Sequence, residues 1–291
     1  MKTVTIVSGK GGVGKSSIAA SLAVCLSKER DIATADCDVD ASNLALILGV
    51  EKFETLETIS TNEKAVLDEE RCTSCGKCRD ICTFSAIDWD EERDVPAINE
   101  YMCEGCGACE LACPESAFEL KTVENAEIGK SLTGHGFPLV SGQLKMGEAG
   151  SGKVVDEIKR RTNKEEAEVL IVDSAAGIGC PVIASVRGSD YIVAVTEPSP
   201  SGLSDLKRVL EIVNHFGIDY GIIINKYDLN KEFTGKIEEF VEERNAEILA
   251  KIPYDKEFVD SLVEMEPIVE RRERYRKIFS EFGKKILNKV K

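Results

Sequence analysis

The 291 residues are 43% hydrophobic and 31% charged, a balance that fits one large α/β domain with something small attached and excludes a disordered chain. With 37 basic and 52 acidic residues the net charge is −15 at pH 7, which argues against binding to a nucleic-acid backbone. Met1 leads directly into Thr3–Val7 without a basic stretch or a long apolar run, so neither a signal peptide nor a membrane span is indicated and the expected location is the cytoplasm.

In chain order, Thr3–Val7 reads as a buried strand, followed by a glycine-rich turn and a helix from about Lys15 to Ser27. A second strand, Ile32–Ala35, ends in Asp36-Cys37-Asp38. Later apolar runs are Val169–Val172, Tyr191–Val195, Gly221–Ile224 and Ile248–Ala250, separated by helical patterns such as Leu203–Phe216. Short, continuously apolar strands alternating with helices predict an α/β fold: a mostly parallel sheet with helices on both faces. Ligands of such sheets gather at the carboxyl ends of the strands.

The stretch 63–121 breaks this rhythm. It is acidic, with fourteen acidic against four basic residues from Asp68 to Leu120, and it holds eight of the eleven cysteines. Cys72-x2-Cys75-x2-Cys78-x3-Cys82 recurs as Cys103-x2-Cys106-x2-Cys109-x3-Cys113, and Ser85-Ala86-Ile87 is echoed by Ser116-Ala117-Phe118 at the same offset of 31. Two copies of one small unit describe an inserted α+β domain, flanked by the two parts of the larger one, 1–62 and 122–291.

Gly9, Lys10, Gly11, Gly12, Val13, Gly14, Lys15 and Ser16 fit G-x-x-x-x-G-K-[ST] after a strand and before a helix that continues through Ser17. Glycines let backbone N–H groups curl around phosphate oxygens, and the helix N-terminus adds positive partial charge. Lys15 is expected on the β- and γ-phosphates and Ser16 on Mg²⁺. The plain alternative is a glycine-rich turn without a ligand. A second run, Gly147–Lys153, has Val154 in place of the hydroxyl residue and no predicted strand before it, and reads as a loop near the nucleotide or a dimer surface.

With Lys10 included, the run resembles the deviant P-loop of the MinD/ParA ATPases of the SIMIBI class, shared with nitrogenase iron protein and Mrp-type iron–sulfur carriers. The resemblance covers most of the chain outside the insert. It implies an ATP-dependent homodimer in which Lys10 reaches the partner's phosphates, and a catalytic set of Lys10, Lys15 and Asp38, with Asp38 orienting the attacking water. Val172-Asp173 through Gly177 looks like Walker B running into switch II, placing Asp173 beside Ser16 at Mg²⁺; the family often has prolines where Ala175 and Ala176 stand. As ordinary residues, Asp38 and Asp173 would be strand-end caps. Asn225-Lys226-Tyr227-Asp228 follows a strand and fits a base-reading loop. Its carboxylate suits guanine, whereas the resemblance implies ATP with Asn225 on adenine.

The repeated cysteine spacing is that of two-cluster bacterial ferredoxins, where the fourth cysteine of each run serves the other cluster. One [4Fe–4S] cluster is then expected on Cys72, Cys75, Cys78 and Cys113, the other on Cys103, Cys106, Cys109 and Cys82. Pro114 follows the pattern, and Thr83 stands where the first run would have proline. Two zinc sites are the alternative, since thiolate tetrads also suit Zn²⁺. Phe84, Trp89, Tyr101 and Phe118 are expected to pack around the clusters. Cys25, Cys37 and Cys180 read as packed thiols, with a redox or ligand role at a dimer interface as the other reading of Cys180.

Ile278, Phe279, Phe282, Ile286 and Val290 recur at helical spacing among lysines and arginines, which predicts a final packed helix rather than a membrane-binding tail. Three functions compete: an ATPase coupling nucleotide state to electron transfer with a redox partner, an assembly factor or carrier serving a metalloprotein client, and a MinD/ParA-like positioning ATPase with a redox-sensing insert.

Overall fold

The computed structural model describes residues 1–290. Its strands and helices follow in the order β1 (Lys2–Ser8), α1 (Lys15–Leu26), β2 (Ile32–Cys37), α2 (Leu44–Ile47), β3 (Thr55–Ile59) and β4 (Asn62–Leu67). The cysteine-rich segment continues with α3 (Lys77–Ile81), β5 (Ile87–Asp90), β6 (Val95–Ile98), α4 (Ala108–Ala112) and β7 (Phe118–Val123). Then come β8 (Ala126–Leu132), β9 (Pro138–Leu144), α5 (Ser151–Thr162), β10 (Val169–Ala176), α6 (Cys180–Val186), β11 (Tyr191–Thr196) and α7 (Pro200–His215). The chain closes with β12 (Tyr220–Asn225), α8 (Lys231–Glu242), β13 (Glu247–Ile252), α9 (Glu257–Val263), α10 (Ile268–Arg271) and α11 (Glu273–Lys289).

Nine strands form one sheet in the order β13-β12-β11-β1-β10-β2-β9-β8-β3. From β13 to β9 every neighbour is parallel, while β8 runs antiparallel to both β9 and β3. The central strands β2 and β11 are buried along their whole length, because helices cover both faces, and this is why they read as unbroken apolar runs. Ile18, Leu22 and Leu26 of α1 pack with Phe279, Phe282 and Ile286 of α11 on one face. Residues of α5, α6, α7 and α8 fill two clusters on the other.

The apolar stripe of α11 is thus spent on α1, as a packed final helix requires; an ideal Cβ on Gly283 would lie 3.0 Å from Leu26 Cδ2. Among the described residues no helix is long and apolar enough to cross a membrane.

Strands β4 and β7 pair with each other, as do β5 and β6, outside the large sheet and around a small core of their own. The sequence repeat is a structural repeat. Gly76 and Gly107 cap α3 and α4 with φ of 74° and 76°, and Ser85 and Ser116 take φ of 51° and 49°. Left-handed backbone at matching positions folds each cysteine run into the same compact turn.

Candidate functional site

The P-loop leaves β1 at Ser8 and enters α1 at Lys15. Gly14 has φ 90°, a left-handed conformation that favours glycine. Gly9 meets a different demand: an added Cβ would lie 2.1 Å from the Asp205 carbonyl oxygen of α7. Ser8, Gly11, Gly12, Gly14, Lys15, Ser16, Asp38, Asn43 and Ala176 line one open cleft, with Leu46, Ile47 and Leu262 as its apolar side. The turn, Ser16 and Asp38 are therefore together, as the motifs predict.

Lys15 is 6% exposed and its Nζ lies 2.6 Å from Asp173 Oδ1 and 3.7 Å from Asp38 Oδ2. Burial alone would lower this lysine, but Asp173, then Asp38 and Asp36, outweigh it and hold the ammonium above the ordinary lysine range. The other oxygen of Asp173, Oδ2, is buried without a hydrogen-bond partner. An orphaned carboxylate oxygen is a donor that suits a hard cation such as Mg²⁺.

Asp36 takes a part that the motif alone does not show. It is fully buried, its Oδ1 accepts from the Asp38 N–H (3.2 Å), and its Oδ2 accepts from the Leu44 N–H (3.0 Å). One carboxylate thereby brackets the loop that carries Asp38. Burial first, and then Asp173, pushes the Asp36 carboxyl well above the usual carboxylate range despite Lys15. Burial also raises Asp38, with Asp173 and Asp40 adding to it and Lys15 opposing.

Asn225 lies against the P-loop itself. Its Nδ2 donates to the Val13 carbonyl (2.7 Å), its Oδ1 accepts from the Lys226 N–H (3.0 Å), and a Cβ on Gly14 would come within 2.6 Å of Nδ2. Asp228 accepts from the Tyr254 N–H (2.6 Å). Lys10 pairs with Glu197, a residue the motifs do not point to; its only sequence signal is an acid directly after a fully buried strand.

The eight cysteines of the insert fall around two cavities. Cys72, Cys75, Cys78 and Cys113 line one, together with Trp89, Pro96 and Phe118. Cys82, Cys103, Cys106 and Cys109 line the other, with Phe84, Ile87, Ile98 and Leu120. These are the crossed sets expected from the spacing. Backbone N–H groups of Ser74, Ala86 and Ala117 point at the sulfurs of Cys72, Cys82 and Cys113 at 3.3–3.4 Å. Burial raises the Cys78 thiol, and raises Cys109 to about 11. Among the described residues no three His, Cys, Asp or Glu side chains converge closely enough to hold a single metal ion. The two cavities are narrow, with about 20 Å³ of free space each.

Three expectations are corrected. Tyr101 is 79% exposed and packs on Gly147, not on a cysteine cavity, because its strand-end turn faces the neighbouring loop. Cys180 is exposed at the start of α6 instead of packed, since the turn after β10 lifts it out of the sheet. The Gly147–Lys153 run does follow a strand, β9, and it opens α5.

That run also serves a different neighbour from the one predicted: it meets the insert. Lys64 of β4 pairs with Glu148 at 2.8 Å, Asn125 Nδ2 donates to the Ala149 carbonyl at 2.9 Å, and a Cβ on Gly147 would lie 2.4 Å from Tyr101 Cδ1. On its far side α5 meets α6. Gly152 packs against Cys180, and Lys159 Nζ donates to the carbonyls of Ala184 (3.0 Å), Ser185 (2.8 Å) and Arg187 (2.6 Å).

Comparison with known proteins gives the family and the fold. The chain is 43% identical over 228 residues to the uncharacterized protein MJ0578 of Methanocaldococcus jannaschii, covering 78% of this chain and 79% of the relative. The fold is similar to that of the septum site-determining protein MinD from Pyrococcus horikoshii, solved with Mg-ADP, at a TM-score of 0.59 and 18% identity over 98% of this chain and 95% of that one. It is likewise similar to a chain of the MinC:MinD cell division protein complex of Aquifex aeolicus, at 0.57 and 19% over 99% and 96%. The CobQ/CobB/MinD/ParA nucleotide binding domain matches residues 4–268, and the chain belongs to that family.

Proposed function

We propose that the chain is an ATP-binding and ATP-hydrolysing iron–sulfur protein, in which nucleotide-dependent changes of a homodimer are coupled to redox chemistry through two [4Fe–4S] clusters on the 63–121 insert. The observation that carries this reading is one P-loop site and two four-thiol cavities in a single chain.

At the nucleotide site Lys15 would exchange Asp173 for the β- and γ-phosphates, freeing that carboxylate to hold Mg²⁺ with Ser16. Asp38 would orient the attacking water, its loop held by Asp36. Lys10 would reach the partner's phosphates. Phosphoryl transfer needs this positioning and charge neutralisation more than covalent help. Adenine is the base that the MinD/ParA resemblance implies, and Asp228 Oδ1 accepts the Tyr254 amide. Asn225, tied to Val13, would sit between base and P-loop.

On the insert, Cys72, Cys75, Cys78 and Cys113 would hold one cluster, and Cys82, Cys103, Cys106 and Cys109 the other. The N–H groups aimed at Cys72, Cys82 and Cys113 suit thiolate charge. When bound, each cluster would supply one-electron storage and transfer. Coupling would run from the turn after β10, through α6 and α5, to Glu148 and the insert.

The test is the steady-state ATPase rate of anaerobically purified protein with the insert oxidised, reduced, or stripped of iron. Three equal rates would sink the coupling, and protein with no iron or sulfide would sink the clusters. The MinD-like fold favours a second reading, a positioning ATPase. The buried apolar face of α11 speaks against a membrane tail in it, and ATP-dependent filament or vesicle association would revive it. A complete thiol tetrad around each cavity speaks against simple cluster donation, which iron transfer to an apo-acceptor checks.

A further inference from the structure

Glu197 lies between the end of β11 and the start of α7, and its carboxylate binds two lysines from two different loops. Oε1 is 2.6 Å from Lys10 Nζ of the P-loop, and Oε2 is 3.1 Å from Lys226 Nζ of the loop after β12. The three side chains are 20%, 28% and 27% exposed, so water screens the group only in part. Lys10 also donates to Ser201 Oγ at 3.2 Å, and Lys226 also donates to the Gly12 carbonyl at 3.0 Å. Burial works to raise the Glu197 carboxyl, but hydrogen bonds and charge from Lys10 and Lys226 outweigh it and hold it below the usual range. It is therefore ionised at neutral pH.

We propose that Glu197 is a positioning residue that parks the Lys10 ammonium inside its own protomer and so sets how readily the nucleotide-dependent dimer forms. This rests on the reading of Lys10 given above. A lysine that bonds Glu197 and Ser201 in its own chain cannot at the same time bond phosphate in another, so dimerisation requires this contact to break. Lys226 makes the release feasible. When Lys10 leaves, Lys226 stays beside the carboxylate, and no uncompensated charge is left half-buried. Lys226 thus competes with Lys10 for Glu197 and loosens the latch.

Each protomer must release its own latch, so the per-protomer factor enters the dimer dissociation constant squared. A partly exposed ion pair biases an equilibrium by about two- to fivefold, which becomes about 4- to 25-fold for the dimer. The experiment uses the full chain with Mg²⁺ and a non-hydrolysable ATP analogue, and reads the dimer dissociation constant by sedimentation. Glu197→Gln should dimerise at about 4- to 25-fold lower concentration than wild type. Lys226→Met, which leaves Glu197 to Lys10 alone, should dimerise more weakly than wild type. Opposite signs cannot come from general loosening of the site, which would move both variants the same way; melting temperature is recorded beside each. Variants that shift in the same direction, or a Glu197→Gln dimer no tighter than wild type, overturn the latch alone. A wild-type chain that stays monomeric with the analogue overturns both the latch and the dimer reading beneath it.

Discussion

Lys159→Met isolates the joint between α5 and α6. The last carbonyls of a helix lack intrahelical partners, and α6 has no basic residue in its own last turn. Lys159 supplies that charge from α5, donating to Ala184, Ser185 and Arg187. Burial, with Arg187 adding to it, holds the Lys159 ammonium below the ordinary lysine range despite Cys37 and Asp156, so the contact already carries a desolvation cost. A hydrogen bond to a charged donor contributes about 1.5–3 kcal/mol, but three to one ammonium do not add in full. Ser185 also keeps acceptance from Thr5 Oγ1 and Ser189 Oγ, so its carbonyl is not orphaned by the change. The net loss is about 2–3 kcal/mol, or about 4–12 °C in melting temperature. Trp89, the one tryptophan of the chain, lines a cysteine cavity and reports on the insert without a label. Its emission should change on adding Mg-ATP to wild type and change by less than half as much in Lys159→Met at saturating nucleotide. Unchanged stability by urea denaturation would refute the capping argument. A full Trp89 response in a destabilised variant would refute the α5 route.

Gly9→Ala should cost about 1–3 kcal/mol, because its Cβ would meet the Asp205 backbone at 2.1 Å and push α7 away from the P-loop; calorimetric titration should show Mg-ATP affinity falling with it. Cys113→Ser should halve the iron content from about eight to about four per chain and remove the cluster whose other ligands are Cys72, Cys75 and Cys78, while Cys82→Ser removes the other; loss assigned to the same-run trio instead would refute the crossed pairing. Arg160 first, then Arg161, lowers Glu157 to about 2 from its ordinary 4.5, against a smaller burial effect. Its folded value is depressed, so its stabilisation is full above about pH 4.5 and is lost as pH falls towards 2. Solvent screening keeps this to about 0.5–1 kcal/mol, and Glu157→Gln should flatten acid-induced melting in that window only.

The strands that could be read from sequence are those buried on both faces. Val169–Val172 and Tyr191–Val195 announce themselves because no position along them faces water. The antiparallel end of the sheet hides for the opposite reason. Thr55–Ile59 is exposed at four of its five positions, and β8 mixes buried Ile128 with exposed Lys130 and Leu132, so neither carries a clean period. The P-loop and the cysteine repeat were legible because their chemistry demands fixed spacing in sequence. Glu197 and Lys159 were not, since each acts on a segment distant in sequence, Glu197 on Lys10 and Lys159 on the end of α6. Asn225 was legible as a residue of the site, but its hold on Val13 depends on how close β12 lies to the P-loop.

The topology also decides how the two halves can communicate. β3 runs parallel to β9, through the antiparallel β8 between them, so the insert leaves the sheet at the carboxyl edge that carries the P-loop. It leaves five strands away from β1, about 24 Å along the sheet. A lateral route would have to displace β2, β9 and β8, whose ladders are closed by backbone hydrogen bonds and whose inner residues are packed without slack. The other route is shorter in moving parts. β10 lies next to β1, Gly177 N–H donates to the Ser8 carbonyl at 2.9 Å, and the chain then passes through Gly179 into α6, which Lys159 fastens to α5. A rigid helix carries end displacements with little loss, and the N-terminal loop of α5 has glycines at φ 75° and 94° beside Glu148. A shift of the Gly177–Gly179 turn on phosphate binding would therefore reach Lys64 through two helices and one ion pair, while the sheet between nucleotide and insert stays still.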